Sequence, residues 1–187
     1  RHGETAWSRT GRHTGRTDVP LTADGERNAR ALGARLAGHP FARVYTSPLQ
    51  RAERTCEIAG YGAVAQPDAD LVEWDYGDYE GKRTAEIGAQ RPGWNLFRDG
   101  CPNGEDAESV GERADRVIAR TREAGGDVLL FSSAHLLRVL AARWLRLPAV
   151  GGSLFLLSTA SLSILGYEHG PDEPVLRLWN DTGHVTS

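Results

Sequence analysis

The chain has 187 residues, enough for one domain with a substantial core. Its apolar fraction of 40% and charged fraction of 25% are those of an ordinary globular protein. A net charge of −3 gives no basic field for nucleic acid, and no apolar run approaches a membrane span. Nearly all positive charge is arginine, Lys82 being the only lysine. Two cysteines, Cys56 and Cys101, are too few for a disulfide framework; Cys56 lies in a helical pattern and reads as a small buried hydrophobe. No leader peptide is visible and a cytoplasmic location is expected, although a chain without methionine is not read as starting at its natural first residue.

Residues 6–21 are polar and broken by Gly11, Gly15 and Pro20, which predicts a loop. Thr22 reads as the cap of a helix carrying Ala29, Leu32 and Leu36 at helical spacing, closed by Gly38 and Pro40. Residues 43–47 read as a short strand. Ser47-Pro48 then reads as the cap and first turn of a helix running to about residue 60. Residues 61–82 are irregular, with an acidic and aromatic patch. A helix is predicted near 83–90, stopped by Pro92, and a loop over 98–106. Residues 107–124 form an amphipathic helix with Val110, Ala114, Val117 and Ile118 on one face. The apolar run 127–132 after Gly126 predicts a buried parallel strand, followed by a helix over 134–146. Residues 161–167 and 175–179 alternate like edge or antiparallel strands. Alternating strands and helices without repeats or linkers predict a three-layer α/β/α sandwich with a mostly parallel central sheet, as one domain over 1–187.

Several stretches carry chemistry. Arg1-His2-Gly3-Glu4-Thr5 sets an imidazole beside a guanidinium and a glycine that admits close backbone approach. An isolated histidine is more often a satisfied or exposed residue, so the setting carries the argument. Ser47-Pro48-Leu49-Gln50-Arg51-Ala52-Glu53-Arg54-Thr55 places a second arginine at a strand-to-helix junction. Leu71-Val72-Glu73-Trp74-Asp75-Tyr76-Gly77-Asp78-Tyr79-Glu80-Gly81 supplies carboxylates beside aromatic rings. Pro102, Gly104 and Glu105 follow, and Ser132-Ser133-Ala134-His135-Leu136-Leu137-Arg138 ends the buried strand. A dianionic phosphate ester needs a nucleophile, guanidinium forks and a proton donor, and these stretches contain all three.

Together they resemble the histidine phosphatase superfamily, also called phosphoglycerate-mutase-like. The resemblance implies that His2 is the nucleophile, forming a phosphohistidine, and that Glu73 is the general acid, with Asp75 its rival. It implies phosphate contacts from Arg1, Arg51, Ser8, Thr14 and Gly15, with Ser8 standing where many members have asparagine. A raised pKa is expected for Glu73, helped by Trp74 and nearby carboxylates. His13 is expected at the surface, and the Pro102–Glu105 segment is expected to be structural. The resemblance also implies a buried strand ahead of Arg1.

The late motif departs from the pattern. Ser133 stands where members carry a second histidine, and Ala134 where they carry glycine. Ser133 offers one neutral hydrogen bond, or caps the following helix, whose N-terminus still attracts anions. Ala134 removes easy access to positive φ. His135 either leans toward the site or faces elsewhere in the first helical turn. The short segment from Lys82 to Gly100 lacks a long basic insertion, which favours hydrolysis over mutase action. The expected protein is a weakened phosphatase on a small phosphorylated metabolite, close to small bacterial broad-specificity acid phosphatases. The alternative is a degenerate member that binds or processes a phosphorylated ligand or partner without hydrolysis. No cofactor is expected, and no metal, since His and carboxylates do not cluster at ligand spacing. A homodimer is possible through edge strands near the C-terminus.

Overall fold

Alternation along the strands sorts the chain into two cores on opposite faces of a parallel sheet. In the computed structural model, which describes residues 1–185, Arg43–Thr46 (β1), Ala65–Pro67 (β2) and Val128–Phe131 (β3) form that sheet in the order β2-β1-β3. Val44, Leu129 and Phe131 face one side. There they pack with Leu32 and Leu36 of helix Ala23–Leu36 (α2) and with Ala52 and Cys56 of helix Gln50–Ile58 (α3). Tyr45 and Leu130 point to the other side, where helices Ala107–Glu123 (α6) and Ala134–Trp144 (α7) bury Val110, Val117, Leu136 and Val139. This is the α/β architecture with a parallel central sheet that the alternation predicts.

Leu162–Tyr167 (β4) and Pro174–Asp181 (β5) form a separate antiparallel pair. The opening dipeptide links the two sheets. The His2 amide donates to the Ser132 carbonyl just past β3 at 2.9 Å, and the Ala160 amide donates to the His2 carbonyl at 2.9 Å. His2 is thereby set at the carboxyl end of β3, where open α/β sheets collect their ligands.

The predicted helices and strands fall close to their observed bounds. Thr22 accepts the Gly25 amide as the cap of α2, and Asp106 caps α6. Short elements interrupt stretches read as irregular: helix Ala6–Arg9 (α1), β2, the 3-10 turns Ala69–Leu71 and Gly77–Tyr79, and helix Leu96–Asp99 (α5), the last following helix Thr84–Gln90 (α4). α1 forms because Thr5 and Ser8 cap each other reciprocally. α3 starts two residues later than Ser47-Pro48 suggests, with Leu49 at the cap and no side-chain cap bond, because the chain stays extended through Leu49. Among the described residues no helix is long and apolar enough to cross a membrane.

Candidate active site

Close approach of backbones places His2. A Cβ on Gly3 would lie 2.5 Å from the Gly25 carbonyl oxygen, and one on Gly25 would lie 2.2 Å from that of Glu4. Glycine at both positions lets the opening segment cross the start of α2 so tightly. The Gly3 amide donates to Thr55 Oγ1 at 3.0 Å, and Thr55 Oγ1 donates to the Arg51 carbonyl at 2.6 Å. Arg51 and Thr55 are four residues apart on α3, so one buried face carries both. That is the physical content of the Ser-Pro-Leu-x-Arg-Ala-x-x-Thr spacing.

His2 is only 4% exposed, and its Nδ1 lies 2.7 Å from the Gly3 carbonyl. A carbonyl only accepts, so Nδ1 carries the proton and Nε2 carries the lone pair. Burial holds the imidazole well below its ordinary pKa, and the charges of Arg1 and Arg51 push the same way. The ring is therefore neutral, with a nucleophilic nitrogen, into acidic solution.

Arg1 donates from Nη1 to the Leu157 carbonyl at 2.5 Å, and its buried Nε has no hydrogen-bond partner among the described residues. Arg51 is fully buried. Its Nη1 donates to Thr17, its Nη2 to Thr14 and Gly15, all backbone carbonyls, and its Nε reaches Ser133 Oγ at 3.4 Å. It holds loop 14–17 in place. In that loop the Gly15 amide donates to the Glu80 carboxylate at 2.9 Å, and Thr14 Oγ1 donates to the Arg12 carbonyl. The Ser8 hydroxyl is engaged in the α1 cap.

Glu73 is also only 4% exposed, and it sits on the start of α7. Oε1 accepts the Leu136 amide at 2.8 Å and the Trp74 amide at 2.9 Å, and Oε2 accepts the His135 amide at 3.0 Å. Burial alone would raise its pKa, but the three backbone amides it accepts outweigh burial and hold it below the ordinary carboxylate value. The raised value expected from Trp74 and neighbouring carboxylates is thus corrected: backbone donors decide. The same contact settles the helix N-terminus, where Glu73 takes the amides that an anion would use. Ser133 stands at the cap position without a side-chain cap bond, and Ala134 begins α7 with ordinary helical backbone.

Asp75 points to Arg16, 2.8 Å away, and accepts the Gly77 amide. His13 is buried, against the expectation of a surface residue, because it packs against Tyr76 and Trp94 with ring centroids 4.7 and 5.7 Å away. His135 neighbours Glu73, its Nδ1 being 3.8 Å from Oε2, and burial lowers its pKa to about 3. A neutral ring there supplies no positive charge in place of the missing histidine. Beside it lies a cavity of about 170 Å³ lined by His13, Trp94, Phe97, His135 and Arg138. Trp94 and Phe97 are part of its lining, while Arg98 is exposed and paired with Asp99.

Glu105 accepts both an Nε and an Nη2 bond from Arg113, and its Oε2 accepts the Asp75 amide, a structural role as expected. Sequence reading missed Tyr76, Glu80 and Thr55 as organisers of the site. All three lie inside the quoted motifs, which was the available signal. Glu168, His169 and Glu173 bring three ligand-type atoms within 4.8 Å on the β4–β5 turn, a grouping the spacing argument overlooked. All three are exposed, and His169 and Glu173 already satisfy each other at 2.7 Å.

A family model described as the histidine phosphatase superfamily (branch 1) matches residues 1–182. The chain is 42% identical to an acid phosphatase of Mycobacterium tuberculosis, over 98% of this chain and 91% of that protein. It is 31% identical to the sedoheptulose 1,7-bisphosphatase of Saccharomyces cerevisiae, over 95% of this chain and 90% of that protein. Among solved structures, the product of open reading frame Rv3214 from Mycobacterium tuberculosis superposes with a TM-score of 0.92 at 41% identity, covering 98% of this chain and 95% of that one. The alpha-ribazole phosphatase of Shigella flexneri superposes with a TM-score of 0.82 at 27% identity, covering 96% of this chain and 93% of that one.

Proposed function

From a chain that belongs to the histidine phosphatase superfamily, we propose a phosphomonoesterase that acts on a small phosphorylated metabolite through a phosphohistidine at His2. The observation that carries this reading is the His2 tautomer: Nδ1–H is committed to the Gly3 carbonyl, so a neutral Nε2 lone pair remains. In the first half-reaction Nε2 attacks phosphorus, the P–O ester bond breaks, and the leaving oxygen takes a proton from Glu73. In the second, Glu73 takes a proton from water, which attacks phosphorus and breaks the P–N bond. Glu73 is ionised at rest, which suits the second step; an arriving dianion raises its proton affinity for the first. Arg1 and Arg51 neutralise the phosphate, and the unpartnered buried Nε of Arg1 is a donor suited to it. The acid phosphatase relative supports placement near small broad-specificity bacterial phosphatases. Catalysis is expected to be slowed by Ser133, which offers the transferring group no charge.

A second reading, a phosphate binder without turnover, is favoured by one observation: Glu73 occupies the α7 amides beside an uncharged Ser133. Hydrolysis of p-nitrophenyl phosphate from acidic to neutral pH, with His2→Ala in parallel, separates the two. We expect turnover that falls by roughly 10³-fold or more in His2→Ala, with a phosphohistidine seen by phosphorus NMR of alkali-quenched enzyme. Phosphate binding without any turnover or phosphoenzyme would overturn the phosphatase reading in favour of the binder.

A further inference from the structure

The cavity is lined by His135, whose ring neighbours Glu73 and has no part in the proposed phosphoryl transfer. The Tyr76 hydroxyl and His135 Nδ1 are 2.6 Å apart, in a part-buried setting. The hydroxyl proton needs an acceptor, and His135 Nδ1 is the only one within hydrogen-bond distance among the described residues. Tyr76 therefore donates, Nδ1 accepts, and the ring proton is placed on Nε2. Burial holds the Tyr76 phenol well above its ordinary value and the His135 ring far below, so both stay neutral in this arrangement. His135 Nε2 has no partner among the described residues, and the ring lines the cavity.

The rest of the wall points the same way. Arg138 stacks over Phe97 at 4.6 Å and donates Nε to the Gly152 carbonyl at 3.1 Å. It pairs with no carboxylate among the described residues, and no carboxylate lines the cavity. The cavity thus sets the His135 and Arg138 donors between the Trp94 and Phe97 rings, with Thr84, Asn95 and Ser153 as its other polar lining. Its volume of about 170 Å³ is below that of a drug-sized pocket and near that of a cavity that accepts benzene.

We propose that His135, oriented by Tyr76, is a specificity-determining residue whose Nε2–H binds an acceptor oxygen of the leaving alcohol, so that short polyol phosphates are preferred over plain alkyl phosphates. This rests on the phosphatase reading for its substrate and on the tautomer for its geometry. His135 moves no proton to the ester; it positions the alcohol beside Glu73.

The test compares glycerol 1-phosphate with n-propyl phosphate, which has the same chain length without the hydroxyls, on wild type, His135→Phe and Tyr76→Phe. Wild type should favour the glycerol ester in kcat/KM by about tenfold or more. In both variants that ratio should fall toward unity, most of the change lying in KM, whichever way the absolute rate moves. A ratio near unity in wild type, or one that persists in His135→Phe, overturns the proposal. Nitrogen-15 NMR of the imidazoles, with His135 assigned by its loss in His135→Phe, reads the tautomer without turnover. Protonation at Nε2, lost in Tyr76→Phe, supports the proposal, and protonation at Nδ1 in wild type overturns it. Failure of every ester to turn over, with no phosphohistidine, strikes the phosphatase reading, and the NMR result together with a shift of the Nε2 signal on adding glycerol 1-phosphate still decides the role of His135.

Discussion

At the scale of single residues, Ser133 is the position expected to limit the rate of the proposed phosphoryl transfer. Its hydroxyl is buried and makes no side-chain cap bond, and among the described residues its hydrogen-bond contact is Arg51 Nε at 3.4 Å. A neutral hydroxyl at that distance stabilises the spreading negative charge of phosphoryl transfer far less than an imidazolium would. His135 does not compensate, because its ring is neutral and turned toward Tyr76. The double change Ser133→His with Ala134→Gly is therefore expected to raise kcat by about 10²-fold, the usual worth of one preorganised donor. The check is steady-state turnover of p-nitrophenyl phosphate, with circular dichroism to confirm the fold. A folded double variant with no gain would mean that the charge at this position is already supplied by Arg1 and Arg51.

At the scale of elements, α6 fastens the segment that carries Glu73, the proposed acid, to the fold. Arg113 donates to the carbonyls of Asp70 and Val72 at 2.9 and 2.7 Å while forking onto Glu105. Arg116 and Arg120, one and two turns on, grip Asp70 and Asp68. The fork is mostly buried, so removing Arg113 strands a carboxylate and two carbonyls. Arg113→Ala is expected to cost about 3 kcal/mol, or roughly 6–12 °C in Tm for a chain of this size. It should also lower kcat more than it raises KM, because Glu73 follows directly on the clamped carbonyls. A thermal scan beside steady-state kinetics checks both, and an unchanged Tm would show that the clamp carries no weight. This clamp also marks the limit of what the sequence discloses. The period of Val110, Ala114, Val117 and Ile118 predicts α6 and its buried face, and the alternation of Val44 with Tyr45 fits the two cores. The charged face of α6 has no such period, so its pairing with residues 68–73, 40 or more positions earlier in the chain, is invisible until the helix is placed. The motif spacings likewise name His2, Arg51 and Glu73 but do not disclose that Glu73 sits on the α7 amides. That contact is made across more than sixty residues and depends on where two elements end.

At the scale of the whole molecule, acid is expected to lower stability while leaving the proposed nucleophile in its reactive form. His2, His13 and His135 are all held below their ordinary pKa, in each case first by burial. A buried neutral histidine binds fewer protons than the same residue in the unfolded chain, which titrates near pH 6.5. Below that pH the unfolded state takes up protons that the native state refuses, so stability falls as pH falls. His135, with a native value of about 3, removes about 1.4 kcal/mol per pH unit on its own below 6.5. Glu73, held below the ordinary carboxylate value, adds to the loss in the same direction once the pH drops into the carboxylate range. From pH 6.5 to 4.5 the His135 contribution comes to about 3 kcal/mol, or roughly 6–12 °C in Tm. The nucleophile behaves differently, since a His2 that stays neutral keeps its Nε2 lone pair over this whole interval. The expected outcome is a Tm that declines steadily below pH 6.5 while kcat/KM, taken from initial rates at a temperature well below Tm, shows no protonation step near 6.5. Replacing the His135 ring by phenylalanine should flatten the Tm profile, because one of the refusing groups is gone. A Tm independent of pH across this interval, or a rate that falls with an apparent pKa near 6.5, would mean that the buried rings exchange protons with solvent as free histidines do, and the neutral-nucleophile account of the site would fail.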